Sequence, residues 1–100
     1  MLERKSQSQI VADIKARHGL ACKVLPFNVI GIPDLMVAFR RADGSPTGLF
    51  LVELKKDDGD LAAIQMARIS WLNDLGVRAY VCYGISGWIT LRDKYMSGEL

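Results

Sequence analysis

The sequence predicts an α/β fold in the order α-β-β-β-α-β, a mixed sheet flanked by helices, with a short C-terminal helix. Three observations predict it. The chain opens with a helix-spaced stripe, Glu3, Gln7, Ile10 and Ile14. Two apolar runs of strand character, Leu35–Phe39 and Leu49–Lys55, flank turn chemistry at Asp43-Gly44 and Pro46. A second helical stretch then returns into the β-branched and aromatic run Val77–Tyr83, and a helix-to-strand return implies parallel pairing with a neighbouring strand.

One hundred residues, half of them hydrophobic, make one domain over 1–100, long enough for a single core and marginal as a monomer. The net charge of +2 argues only weakly for nucleic acid. The basic pairs Arg4-Lys5, Arg40-Arg41 and Lys55-Lys56 either strengthen that case or are solvated surface. No apolar run approaches the roughly 18 residues of a membrane span, and the opening MLERKSQSQ has no signal-peptide core, so a cytoplasmic protein is expected. Cys22 and Cys82 sit in strand-like apolar contexts and read as buried thiols in a reducing compartment, with no other Cys or His at ligand spacing. His18 is the only histidine, and no Ser-His or Cys-His nucleophile system can be assembled.

The first helix is expected from about Leu2 to His18, capped at Gly19, with His18 favoured by the helix dipole. Ile10 and Ile14 face the sheet, so Glu3 and Gln7 emerge at the edge of the core. Glu3 then either joins a site or simply favours the helix start electrostatically. Ala21–Asn28 reads as a first strand, with Pro26 suited to an edge or a bulge. A stiff loop through Gly31 and Pro33 delivers Asp34 to the start of the second strand. Centring the following turn on Asp43-Gly44 sets Asp34 opposite Glu53 across the hairpin, although the long connection leaves room for a slip of a residue or two. The polar loop Lys56–Asp60 supplies Asp60 as N-cap of a helix from Leu61 to Leu75 that stops at Gly76. Its core side is Leu61, Ile64, Leu72 and Leu75, bordered by Trp71, while Gln65 and Arg68 project toward the sheet. After the strand Val77–Tyr83, Gly84-Ile85-Ser86-Gly87 breaks the chain. Trp88, Leu91 and Tyr95 mark a last short helix to Met96 that packs on the domain or covers a partner.

The chemistry concentrates between Pro33 and Lys55. Glu53 and Lys55 are two apart in a strand and share one face. Taken singly, Asp34 is ordinary turn chemistry, and Glu53 with Lys55 is a surface ion pair worth little. Held side by side, the Asp34 and Glu53 carboxylates repel unless a cation sits between them. Oxygen ligands suit Mg²⁺ or Mn²⁺, which accept phosphate oxygens. A lysine beside such an ion can orient a water or stabilise charge growing on a phosphate. Gln65 either joins this group or bonds a nearby carbonyl. Arg68 reaches a phosphate or lies along the helix surface.

The order Pro33-Asp34, Glu53-Leu54-Lys55 resembles the PD-(D/E)xK nuclease superfamily. Gly31-Ile32-Pro33-Asp34, Phe50-Leu51-Val52-Glu53-Leu54-Lys55 and Gln65, ten residues after Lys55, resemble its VRR-NUC branch over about Glu3 to Tyr83. The resemblance implies a restriction-endonuclease-like core and an Mg²⁺- or Mn²⁺-dependent DNA endonuclease. It implies a metal held by Asp34, Glu53 and the backbone carbonyl of Leu54, with Glu3 assisting, and Lys55 and Gln65 positioning the attacking water. Small stand-alone members resemble structure-selective enzymes on branched DNA. That implies a homodimeric Holliday-junction resolvase-like enzyme from a phage or prophage. The alternatives are a flap or nicking endonuclease, and a catalytically silent DNA-binding module on the same fold.

Overall fold

The computed structural model describes residues 4–25 and 28–100. Its elements are α1 (Arg4–Ala16), β1 (Leu20–Lys23), β2 (Leu35–Ala38), β3 (Phe50–Lys55), α2 (Ala63–Asp74), β4 (Ala79–Tyr83) and α3 (Gly84–Met96). The strands form one sheet in the order β1-β2-β3-β4. The pairs β1–β2 and β2–β3 are antiparallel, and β3–β4 is parallel, as the helix-to-strand return requires. No described helix is long and apolar enough to cross a membrane.

α1 ends two residues before the expected boundary, and the reason is local. His18, not Gly19, takes the left-handed conformation that closes the helix (φ 56°). Gly19 donates to the Ile14 carbonyl, and a Cβ there would lie 2.7 Å from the carbonyl oxygens of both Ile14 and Ala38. Gly19 therefore serves the close approach of α1 to the sheet. β1 is also shorter than expected. It pairs with β2 only as far as Lys23↔Leu35, after which the Val24 N–H donates to the Asp34 carbonyl at 2.8 Å and the partner strand runs out. Pro26 lies outside the described residues.

The β2–β3 register is the one expected, though the turn is not. Leu35↔Val52, Met36↔Leu51 and Val37↔Phe50 place Asp34 opposite Glu53 at the next step. Nearer the turn, Arg40 pairs with Pro46 and the Thr47 N–H donates to the Phe39 carbonyl, a register displaced by one residue. Gly48 and Leu49 therefore both face Ala38. This bulge absorbs the slip between a turn centred on Asp43 and the ladder beyond.

The core lies on one face of the sheet, under α1 and α3. Alternate strand residues Leu35, Val37, Phe50, Val52, Leu54 and Cys82 meet Ile10 and Ile14 of α1 and Trp88, Leu91 and Tyr95 of α3. Phe50 stacks on Tyr95 at 4.3 Å between ring centroids, and the Tyr80 and Tyr95 hydroxyls are 2.7 Å apart. Trp88 Nε1–H donates to Asp13 at 2.8 Å, joining α3 to α1. Packing, not partner binding, thus accounts for the C-terminal aromatics. The expected break at Gly84–Gly87 is instead the first turn of α3. Gly84 has φ 66° and a Cβ on it would overlap the Asp57 carboxylate, so the glycine lets α3 start directly from β4.

α2 covers the other face and rests mainly on β4. Leu72 alone of its residues is buried, while Ile64 and Leu75 are 44% and 62% exposed, contrary to the expected core side. The helix sits over one margin of the sheet, so its flank overhangs instead of packing. Its N-cap is Ala62 and not Asp60. Of the two cysteines, Cys82 is buried, with its thiol pushed up to about 12 by burial, whereas Cys22 is exposed.

Candidate active site

Three elements converge where β2 starts and β3 ends. Glu53 and Lys55 alternate with Val52 and Leu54, whose side chains enter the core, so both charged groups point to the face that α2 covers. Both are buried, at 2% and 8% exposure. Asp34, at the end of the loop from Gly31, is exposed at the rim. A pocket of about 320 Å³ is lined by Gln7, Lys23, Asp34, Glu53, Leu54, Lys55 and Gln65.

The electrostatics centre on Glu53. Its Oε2 accepts a hydrogen bond from Gln65 Nε2 at 3.0 Å and lies 3.8 Å from Lys55 Nζ. Its Oε1 is buried and has no hydrogen-bond partner among the described residues. Burial, then the neighbouring Asp34 carboxylate, push the Glu53 carboxyl from 4.5 up to about 7, against the opposing pull of Lys55. A buried acceptor without a donor costs about 1–3 kcal/mol, more when charged. The arrangement is therefore disfavoured unless something positive completes it.

Gln65 is fixed from both ends. Its Oε1 accepts from the Ala62 N–H at 3.0 Å, capping α2, while its amide N–H₂ holds Glu53. One side chain thus ties the start of α2 to the acid on β3. Arg68 plays a part that its sequence position did not disclose. Its Nε donates to the Ile30 carbonyl at 2.7 Å, and its guanidinium lies 5.1 Å from the centroid of the Trp71 ring. It pins the loop that carries Asp34 to α2 and is not among the residues that line the pocket. Gln7 does line the pocket, as the helical stripe predicted. Glu3 lies outside the described residues. Lys23 was missed because its place comes from the β1–β2 pairing: as the partner of Leu35 it ends near Asp34.

The pocket thus holds two carboxylates, two ammonium groups and two carboxamides. Among the described residues no group of three or more His, Cys, Asp or Glu side chains converges to hold a metal. Two carboxylates plus a main-chain carbonyl remain a donor set of hard oxygens, which suits a divalent cation that keeps several waters.

No family model matches the chain, and no curated protein does. Among solved structures, one described as a "VRR_NUC domain" superposes with a TM-score of 0.76, covering 91% of this chain and 94% of that one at 22% identity. The chain therefore has the fold of a VRR_NUC domain, a mixed α/β core.

Proposed function

We propose that this chain is a nuclease of the VRR-NUC type, an Mg²⁺- or Mn²⁺-dependent endodeoxyribonuclease. One observation carries the reading: the buried Oε1 of Glu53, without a hydrogen-bond partner among the described residues, beside the Asp34 carboxylate in a pocket that also holds Lys55 and Gln65. Asp34, Glu53 and the Leu54 carbonyl would hold the ion, with Glu3 as a further carboxylate. When bound, such an ion neutralises charge on the phosphodiester and makes water a better nucleophile near neutral pH.

The remaining work falls to the chain's own groups. Gln65, held by the α2 cap, keeps Glu53 from rotating away and fixes which of its oxygens faces the pocket. Lys55, on the same strand face as Glu53, orients the attacking water and offers positive charge to the phosphate as its charge grows. Gln65 shares in positioning that water. Arg68 acts at one remove, through the loop that sets Asp34.

We further propose a homodimer acting on branched DNA, in the manner of a Holliday-junction resolvase. An apolar strip along the overhanging flank of α2 supports a second copy: Ile64, Trp71 and Leu75, continued by Ile30, which is 73% exposed. Gly31 packs against Ile64 and Arg68, so the strip is continuous. A two-fold axis through such a strip presents two equivalent sites, as paired cuts in a four-way junction need. A phage or prophage origin and a cytoplasmic location belong to the same reading.

The test is cleavage of an end-labelled four-way junction beside flap, nicked and linear duplexes, in Mn²⁺, in Mg²⁺ and in EDTA, with Lys55→Ala as control. Metal-dependent paired cuts in the junction, lost in the variant, are expected. Preference for the flap would leave a nuclease and remove the resolvase. Junction binding without cutting in either metal would leave a silent DNA-binding module.

A further inference from the structure

A second depression opens beside the pocket, between α1 and the edge strand β1. It has a volume of about 430 Å³ and is lined by Gln7, Ser8, Val11, Ala12, Lys15 and Lys23. Gln7 and Lys23 line both hollows, so they form one continuous groove. The α1 residues recur at helix-face spacing, so the groove follows one side of the helix. From Gln7 to Lys15 the helix rises about 12 Å at 1.5 Å per residue. That is the length of about three to four nucleotides of B-form DNA, at 3.4 Å each along the duplex axis.

The charge in this second hollow has one sign. Its two ionisable side chains are lysines, both exposed, and neither forms an ion pair with another described residue. The site itself is poorly equipped to attract a polyanion. Asp34 and Glu53 repel phosphate, and Lys55 already faces Glu53. A phosphodiester chain that reaches the pocket therefore needs cationic groups outside it. Lys23 stands at the junction of the two hollows and Lys15 at the far end. Between them, Gln7 and Ser8 offer donors to phosphate oxygens, while Val11 and Ala12 offer small apolar surface to a sugar.

Resting on the nuclease reading, we infer that this groove is the track of the DNA strand leading to the scissile phosphate. Lys23 holds the phosphate next to the pocket and Lys15 one farther along. Phosphate contacts of this kind set register and affinity and carry no sequence information.

The experiment measures binding of a fluorescent DNA duplex in EDTA, so that nothing is cut, across a series of salt concentrations. Each phosphate contact contributes about 0.9 to the slope of log affinity against log salt on B-form DNA. The double variant Lys15→Gln/Lys23→Gln is expected to lower that slope by about 1.8, and Lys15→Gln alone by about 0.9. The control Arg40→Gln/Lys94→Gln, two cations outside the groove, is expected to keep the wild-type slope. Both lysines are exposed, so unchanged melting temperatures are expected throughout. Salt-dependent binding with the same slope in wild type and double variant would overturn the track and spare the nuclease. A wild type without salt-dependent binding to DNA would overturn both.

Discussion

Replacing Glu53 with glutamine should stabilise the metal-free protein while destroying its activity. Glu53 is 2% exposed, and its carboxyl stands at about 7 instead of 4.5, chiefly because of burial and then because of Asp34. At about 1.4 kcal/mol for each pH unit, that difference amounts to about 3 kcal/mol against the charged form. The sign follows from linkage: a carboxyl raised on folding imposes no penalty below 4.5, an increasing one up to about 7, and a constant one above it. Glutamine has nearly the same shape, carries no charge, and keeps an oxygen to accept from Gln65. Melting in EDTA should therefore show Glu53→Gln above wild type at pH 8. At about 4–8 °C per kcal/mol for a domain of this size, the ceiling is about 12–24 °C. The gain should shrink toward pH 5. Added Mn²⁺ should raise the wild type and leave the variant where it was. A variant that melts at or below wild type at pH 8, or an offset that does not change with pH, would refute this account of the site.

Three other outcomes follow from the same structure. Gln65→Ala removes the α2 cap and the donor to a buried acid, so a loss of about 2–3 kcal/mol in chemical denaturation is expected at pH 8. Trp71→Glu with Leu75→Glu places charges on the exposed strip, and light scattering should then report a monomer with unchanged far-ultraviolet circular dichroism; a persisting dimer would move the interface elsewhere. For Asp13, burial raises the carboxyl, but hydrogen bonds from Trp88 and Arg92 and the charges of Arg17 and Arg92 outweigh it, holding it below 3.8. Asp13→Asn should thus cost stability near neutral pH, with the difference from wild type vanishing as the pH falls below that value.

The elements and the hairpin were legible because apolar periodicity and turn residues are local signals. Asp34 does stand opposite Glu53, but through two compensating facts: the turn centres on Asp43, and a bulge at Gly48 and Leu49 restores the register. Charge on an otherwise apolar strand pointed to Glu53 and Lys55, and their burial came as the less expected solution, made possible by Gln65. What the sequence concealed was long-range. Glycine signalled breaks at Gly84–Gly87, where it instead permits a helix to leave its strand without a loop. Leucine and isoleucine spacing on α2 signalled a core face, yet how far a helix overlaps its sheet is a property of the assembled layers. Arg68 and Lys23 gained their places from pairings and loops that no local pattern encodes.

The most direct measurement is the single-turnover rate of DNA cleavage in Mn²⁺ by wild type and by Glu53→Gln, both verified as folded. Loss of a preorganised charged group at the reacting centre predicts a fall of at least about 10²–10³. Equal rates would mean that the Asp34–Glu53 pocket is not where this protein does its chemistry.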